Sequence, residues 1–149
     1  MEMGDILTFR GENGWLSNFA EVSVTLDTIT YESVEHAYIA AKCDDMEWKK
    51  LCSSGEFNAG QLKKVSKDID MVENWDDIKY GVMEILLYQK FTKEPFKTKL
   101  LKTGTVLIRE GNFWNDKYWG YCLKTNEGEN MLGKLIMEIR TKLRDYDKM

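Results

Sequence analysis

The amino-acid sequence predicts an α+β fold: a helix-rich single domain with a small, mainly antiparallel sheet. Three observations predict it. Apolar residues recur at helical spacing over long stretches, most clearly in 75–91 and 131–143. Residues 22–26 alternate apolar and polar, residues 29–31 follow Asp27-Thr28, and together they read as a hairpin. Pro95 is the sole proline in 149 residues, so few sharp stops interrupt the helices. No internal repeat, low-complexity stretch or linker divides the chain, and residues 1–149 are read as one domain.

The elements follow in order. Residues 6–9 read as a short strand and 10–18 as a loop, with Gly11, Gly14 and a terminal Ser17-Asn18. After the hairpin comes the clearest helix start, Ser33 ahead of Val34-Glu35-His36. A serine hydroxyl at that position accepts from the exposed amides of the first turn. Val34, Ala37, Tyr38 and Ala41 continue at helical spacing, and alanine favours helix. Trp48 and Leu51 predict a short second helix ending near Gly55, and 58–62 a further turn or two. Asn74 or a neighbour caps a long helix from 75 to about 91, with Ile78, Val82, Ile85, Leu86 and Phe91 as one buried stripe. Pro95 suits the first turn of a helix carrying Phe96, Leu100 and Leu101, which Gly104 ends. Residues 105–108, β-branched and apolar, read as a buried strand, and 112–120 as a polar, aromatic loop. A final helix from 131 to about 143 turns Leu132, Leu135, Ile136 and Ile139 inward.

Bulk composition narrows the function. The net charge of -4 disfavours wide contact with a phosphate backbone, so bulk affinity for nucleic acid is not expected. No apolar run is long enough to span a membrane. The acidic start, Met1-Glu2-Met3-Gly4-Asp5, lacks the basic and apolar segments of a signal peptide. Cys43, Cys52 and Cys122 are odd in number and widely spaced; they read as reduced thiols of a cytoplasmic protein. With a single histidine and no metal-ligand spacing, neither a metal nor another cofactor is expected.

Chemistry-bearing residues lie where helix stripes do not account for them. Glu35 sits in the first turn of its helix, at the positive end of the dipole, where a negative charge is stabilised. From position alone the plainer reading is an ordinary helix-start glutamate. His36 adjoins it, and a lone histidine in a helix is more often packed than catalytic. Lys42, two turns on, can meet a phosphate as a point charge or simply be solvated. The run Asn112-Phe113-Trp114-Asn115-Asp116-Lys117-Tyr118-Trp119-Gly120 sets large aromatic residues beside an acid. Such rings stack on a flat base, and the aspartate can hold ribose hydroxyls or a water. A loop pinned by buried rings is the equal alternative. Gly128-Glu129-Asn130-Met131-Leu132-Gly133 offers backbone amides at the mouth of the last helix, an anion site in principle, although Asn130 also suits a plain cap. Nucleotide-binding glycine loops and a nucleophile elbow are missing from the sequence.

Laid out in order, these segments resemble the YbiA-like, or NADAR, superfamily. The matching pieces include Phe9-Arg10-Gly11, Leu16-Ser17-Asn18-Phe19, Tyr31-Glu32-Ser33-Val34-Glu35-His36-Ala37-Tyr38 with Ala41-Lys42, Trp75 with Val82-Met83 and Lys90-Phe91, Leu101 with Thr103-Gly104, Asp116 with Trp119-Gly120, and Asn130-Met131-Leu132-Gly133 with Met137 and Arg140. They cover nearly the whole chain, and as a set they are specific. Where the family has a glutamate-rich tract, this chain reads Arg109-Glu110-Gly111-Asn112.

The resemblance implies a YbiA-like fold and an N-glycosidase acting on ribosylated nitrogen compounds. Two substrate kinds are implied: phosphoribosylamino-pyrimidine intermediates of riboflavin synthesis, and ADP-ribosylated bases, free or within nucleic acid. Glu35 matches the catalytic glutamate, and Asp116 with Trp119 the second functional segment. Arg10, Asn18 and Lys42 match positions expected to hold phosphate and ribose. Trp114, which departs from the family pattern, and Asn130 are expected as further substrate contacts from their residue types and places alone. The same residues would also serve a non-catalytic module that binds ADP-ribose or a related nucleotide.

Overall fold

The computed structural model describes residues 4–147, so the reading of Met1, Glu2 and Met3 falls outside the described residues. The chain forms two compact units, one of residues 18–90 and one of residues 1–17 with 91–149. The architecture is helix-rich α+β, as the sequence predicts.

The 18–90 unit opens with the hairpin. Strands β1 (Glu21–Leu26) and β2 (Ile29–Ser33) pair antiparallel, with Val24 opposite Tyr31 and Leu26 opposite Ile29. Val22, Val24, Tyr31 and Ser33 are buried on alternate positions. Asp27 and Thr28 make the turn with φ of 50° and 71°, the left-handed backbone that a two-residue hairpin connection demands. Helix α1 (Val34–Ala41) follows β2 with no connecting residue. Ser33 caps it as predicted: its backbone is extended and its Oγ accepts the His36 amide at 3.1 Å. Every residue of α1 from Val34 to Ala40 is buried, so this helix is the centre of the unit.

Helix α2 (Met46–Ser53) is capped by Asp45, whose side chain accepts the Glu47 amide. Helix α3 (Ala59–Val65) makes the predicted turn or two but ends at Val65 rather than 62, and Asn58 and Gln61 form a reciprocal capping box at its start. Helix α4 (Trp75–Phe91) starts on the Asn74 carbonyl, which accepts the Ile78 amide. Its buried stripe keeps Leu86 and Phe91 of the predicted one and differs in the rest. Ile85 is exposed, Ile78 and Val82 are half-buried, and the buried edge runs through Met83, Leu86, Leu87 and Lys90. The spacing is helical, but the stripe is rotated by about one position toward the polar Lys90.

The other unit corrects three expectations. Residues 6–9 and 105–108 are not extended strands. They meet at one parallel bridge, Ile6 with Ile108, held by Ile6 N–H to Leu107 O and Arg109 N–H to Ile6 O. The 10–18 loop contains a 3-10 helix, Gly11–Leu16, whose Leu16 is buried. Helix α5 (Phe96–Lys102) begins just after Pro95 and stops at Gly104, where φ is +64°. Strands β3 (Gly111–Asn112) and β4 (Tyr121–Cys122) pair parallel, so the second small sheet departs from the antiparallel pattern and the aromatic loop begins after Asn112. Helix α6 (Met131–Asp147) buries Leu132, Leu135, Ile136 and Ile139 as predicted, and also Arg140, which donates to Thr103 Oγ1 at 3.0 Å.

No helix of the described residues is long and apolar enough to cross a membrane. Cys43, Cys52 and Cys122 are free and buried.

Candidate active site

In the 18–90 unit, three of the predicted residues share one neighbourhood. Glu35 is the second residue of α1 and only 7% exposed. Its amide donates to the Asn18 carbonyl at 3.0 Å, which ties the residue before the hairpin to the first turn of the helix. Lys42, at the C-cap of α1, is seven residues on and thus on the same helical face. Burial pushes the Lys42 ammonium down from its ordinary value, while the negative charge of Glu35 pulls it back up. Its Nζ stands 5.4 Å from the Tyr38 ring, a cation–π contact. The positive end of the α1 dipole and the Lys42 cation both favour an anionic oxygen at Glu35.

Asn18 is 9% exposed. Its Nδ2 lies 3.6 Å from Met83 Sδ, and its buried Oδ1 has no hydrogen-bond partner among the described residues. His36, by contrast, is fully engaged. Its Nε2 meets the Phe57 carbonyl at 3.0 Å and its Nδ1 meets Ser33 Oγ at 2.7 Å. A carbonyl only accepts, so Nε2 carries the proton and Nδ1 accepts from the hydroxyl. The imidazole is therefore a structural pin between α1 and the segment before α3.

This unit also opens a cleft of about 860 Å³ lined by Trp48, Asp44, Asp45, Glu47, Asp68, Asp70 and Glu73 among others. Its lining includes no lysine or arginine among the described residues, so it repels a phosphate, and it does not include Glu35.

The other unit gathers the rest of the predicted residues. Arg10 is exposed, and its guanidinium sits 5.4 Å from the ring of Trp114, itself 54% exposed. Asp116 is half-buried, and its Oδ1 accepts the amides of Tyr118 and Trp119 at 3.2 and 3.1 Å. The carboxylate thus holds the turn that presents Trp119, whose ring packs edge-on against Tyr118 at 4.8 Å. Asn112 fastens the same loop. Its Nδ2 donates to the Asp116 carbonyl and to Glu110 Oε2, while its Oδ1 accepts the amides of Trp114 and Asp116. In the sequence Asn112 is only the start of the loop; a fully buried asparagine with that many bonds is the loop's anchor. Gly120 is required by close approach, since a Cβ there would collide with the side chains of Glu110 and Asn112.

Asn130 is buried and committed to the backbone. Its Oδ1 accepts the Glu110 amide and its Nδ2 donates to the Ile108 carbonyl, both at 3.0 Å. The expected anion site at the mouth of the last helix is not built. The amides of Met131 and Leu132 donate to the carbonyls of Tyr118 and Trp119, which leaves those donors unavailable to a ligand.

The chain is similar to known proteins over most of its length. A family model described as the NADAR domain matches residues 8–144. A riboflavin biosynthesis protein of Vibrio vulnificus is 30% identical over 137 residues, which cover 90% of this chain but 36% of that protein. The N-glycosidase YbiA of Escherichia coli is 32% identical over 134 residues, 87% of this chain and 81% of YbiA. The NMR structure of the Escherichia coli protein YbiA superposes with a TM-score of 0.82 at 27% identity, over 97% of this chain and 89% of that one. With a family model spanning both units and a shared fold at that level, the chain belongs to the NADAR domain family.

Proposed function

We propose that this protein is an N-glycosidase that hydrolyses the C1′–N bond of a phosphorylated ribosyl compound, with Glu35 as the catalytic carboxylate. The observation that carries the reading is a buried glutamate at the positive end of a buried helix, with a lysine on the same face and an asparagine held against its own amide. A carboxylate withdrawn from water in that field is suited to a positive charge that develops nearby.

The reaction needs such a group. As the C1′–N bond lengthens, its electron pair leaves with the nitrogen and the ribosyl ring becomes cationic. Glu35 stabilises that charge and orients the attacking water, accepting its proton as oxygen bonds to C1′. Glu35 passes the proton taken from water to the departing nitrogen, so the products are the free amine or base, protonated where the bond broke, and the ribose with a new hydroxyl. Lys42 and Arg10 are assigned to phosphate, Trp119 and Trp114 to the base, and Asp116 to the ribose hydroxyls or the water. Asn18 and Asn130 complete the assigned set, Asn18 as a substrate contact and Asn130 by fixing the loop rather than by touching substrate.

Relatives named as riboflavin biosynthesis proteins make a phosphoribosylamino-pyrimidine the first substrate to test, and an ADP-ribosylated guanosine the second. Purified protein is incubated with each, and release of the free base is followed by chromatography. Glu35→Gln preserves size and removes the charge; it is expected to lower kcat by about 1,000-fold or more. Turnover of a folded Glu35→Gln variant near the wild-type rate rejects the mechanism. Tight binding of either compound with no base released points instead to a non-catalytic module.

A further inference from the structure

The Oδ1 of Asn18 is the buried side-chain atom that nothing among the described residues satisfies. Native interiors leave few such atoms, because a buried acceptor without a donor has lost its water for nothing. The nitrogen of the same amide faces the Met83 sulfur, a soft acceptor, which places the oxygen on the other side. The main-chain carbonyl of Asn18 accepts the Glu35 amide, so the orphan oxygen belongs to a residue tied at its backbone to the proposed catalytic glutamate.

An amide oxygen accepts and never donates. Ionised phosphate oxygens are acceptors as well, so Oδ1 does not suit phosphate. A hydroxyl suits it. With Glu35 at C1′, the nearest hydroxyl of the substrate is the one on the adjoining carbon. We propose that Asn18 Oδ1 accepts the 2′-hydroxyl of the bound ribose and selects ribosyl over 2′-deoxyribosyl substrates. The proposal rests on the reading of Glu35 given above. Selection by binding is needed here, because the electron-withdrawing 2′-hydroxyl opposes a ribosyl cation, and the deoxy bond breaks more readily by itself. A bond to that hydroxyl also strengthens as the sugar becomes cationic, so it acts on kcat as well as on KM.

The test is a cycle of two proteins and two substrates. Wild type and Asn18→Ala are compared on whichever ribosyl substrate the wild type cleaves and on its 2′-deoxyribosyl counterpart. Asn18→Ala is expected to lose about 10- to 100-fold in kcat/KM on the ribosyl substrate, the worth of one to two decades for a buried hydrogen bond. On the deoxy substrate the same change should cost less than about 3-fold, and the comparison cancels the intrinsic difference between the two bonds. Equal losses on both substrates overturn the proposal. Asn18→Ser, shorter but still polar, supplies the same comparison if alanine does not fold. Asn18→Ala also gives up the Nδ2–Met83 Sδ contact and buried volume, so a lower thermal midpoint is expected in either case, and the role is read from the split between the two substrates. Two failures remain distinguishable: equal losses with an inactive Glu35→Gln reject the assignment of Asn18 alone, while an active Glu35→Gln, or a wild type that cleaves neither ribosyl substrate, rejects the reading beneath it.

Discussion

At the scale of single residues, Asp116 has a turn to hold and a proposed part in the reaction, and a careless substitution would confuse the two. Its Oδ1 already holds the amides of Tyr118 and Trp119, so removing the carboxylate frees the turn. Asp116→Ala should therefore cost about 1–2 kcal/mol of stability, as expected for two amides that lose a shared acceptor. Asp116→Asn keeps an oxygen at the same place. Its urea midpoint should match the wild type, and any fall in kcat then reports the charge alone. Turn and charge are separated by comparing the two variants. The residue identities of this loop were legible in the sequence, but their duties were not. Asn112 and Asn130 read as a loop start and a cap or anion contact, because nothing local reveals that their amides reach backbone groups of Glu110, Asp116 and Ile108.

At the scale of elements, caps and periodicities were the dependable signals. Ser33 announces α1 and also meets the His36 ring, so one hydroxyl satisfies a helix amide and a buried imidazole. Ser33→Ala should cost about 1–3 kcal/mol, a lost cap with an added unpaired ring nitrogen. Urea denaturation measures it, and a wild-type midpoint would show that water replaces the hydroxyl. Strands were harder to see. The segments 6–9 and 105–108 have strand-like composition, yet they meet at a single bridge, because pairing depends on a partner about 100 residues away. In α4 the period was legible and the phase was not: Ile85 faces water while Lys90 is buried, a choice set by packing and not by hydropathy. Glu35 itself stood out only through the motif around it.

At the scale of the whole molecule, stability should depend on pH through its buried titrating groups. Lys90 is 0% exposed, and burial pushes its ammonium down to about 7 from 10.5. Between those values the unfolded chain binds a proton that the fold has released, so stability rises as pH rises. Cys122, pulled down to about 7 by the Thr125 hydroxyl and amide, acts in the same direction up to pH 9. Tyr31 and Cys52 oppose both. Burial pushes each up to about 12, so the fold keeps protons that the unfolded chain gives up from 9.0 and 10.0 onward. Stability should climb from pH 7 to about 9, level, and fall above pH 10, with roughly 2 kcal/mol of the climb due to Lys90. Urea titrations at stepped pH test this, and Lys90→Met should remove about half of the rise, leaving the share of Cys122. A wild-type profile that falls between pH 7 and 9 contradicts it.

The direct passage from β2 into α1 has one more consequence. Extra residues at the Asp27-Thr28 tip can loop out, because the tip carries no downstream geometry. At the Ser33–Val34 junction there is no slack to absorb them. A single residue added there would swing the hairpin about the helix axis by roughly 100°, the angular step of one helical residue. Evolution or engineering can therefore lengthen this arm at its far end, while its root behaves as a weld that fixes the hairpin's angle to α1.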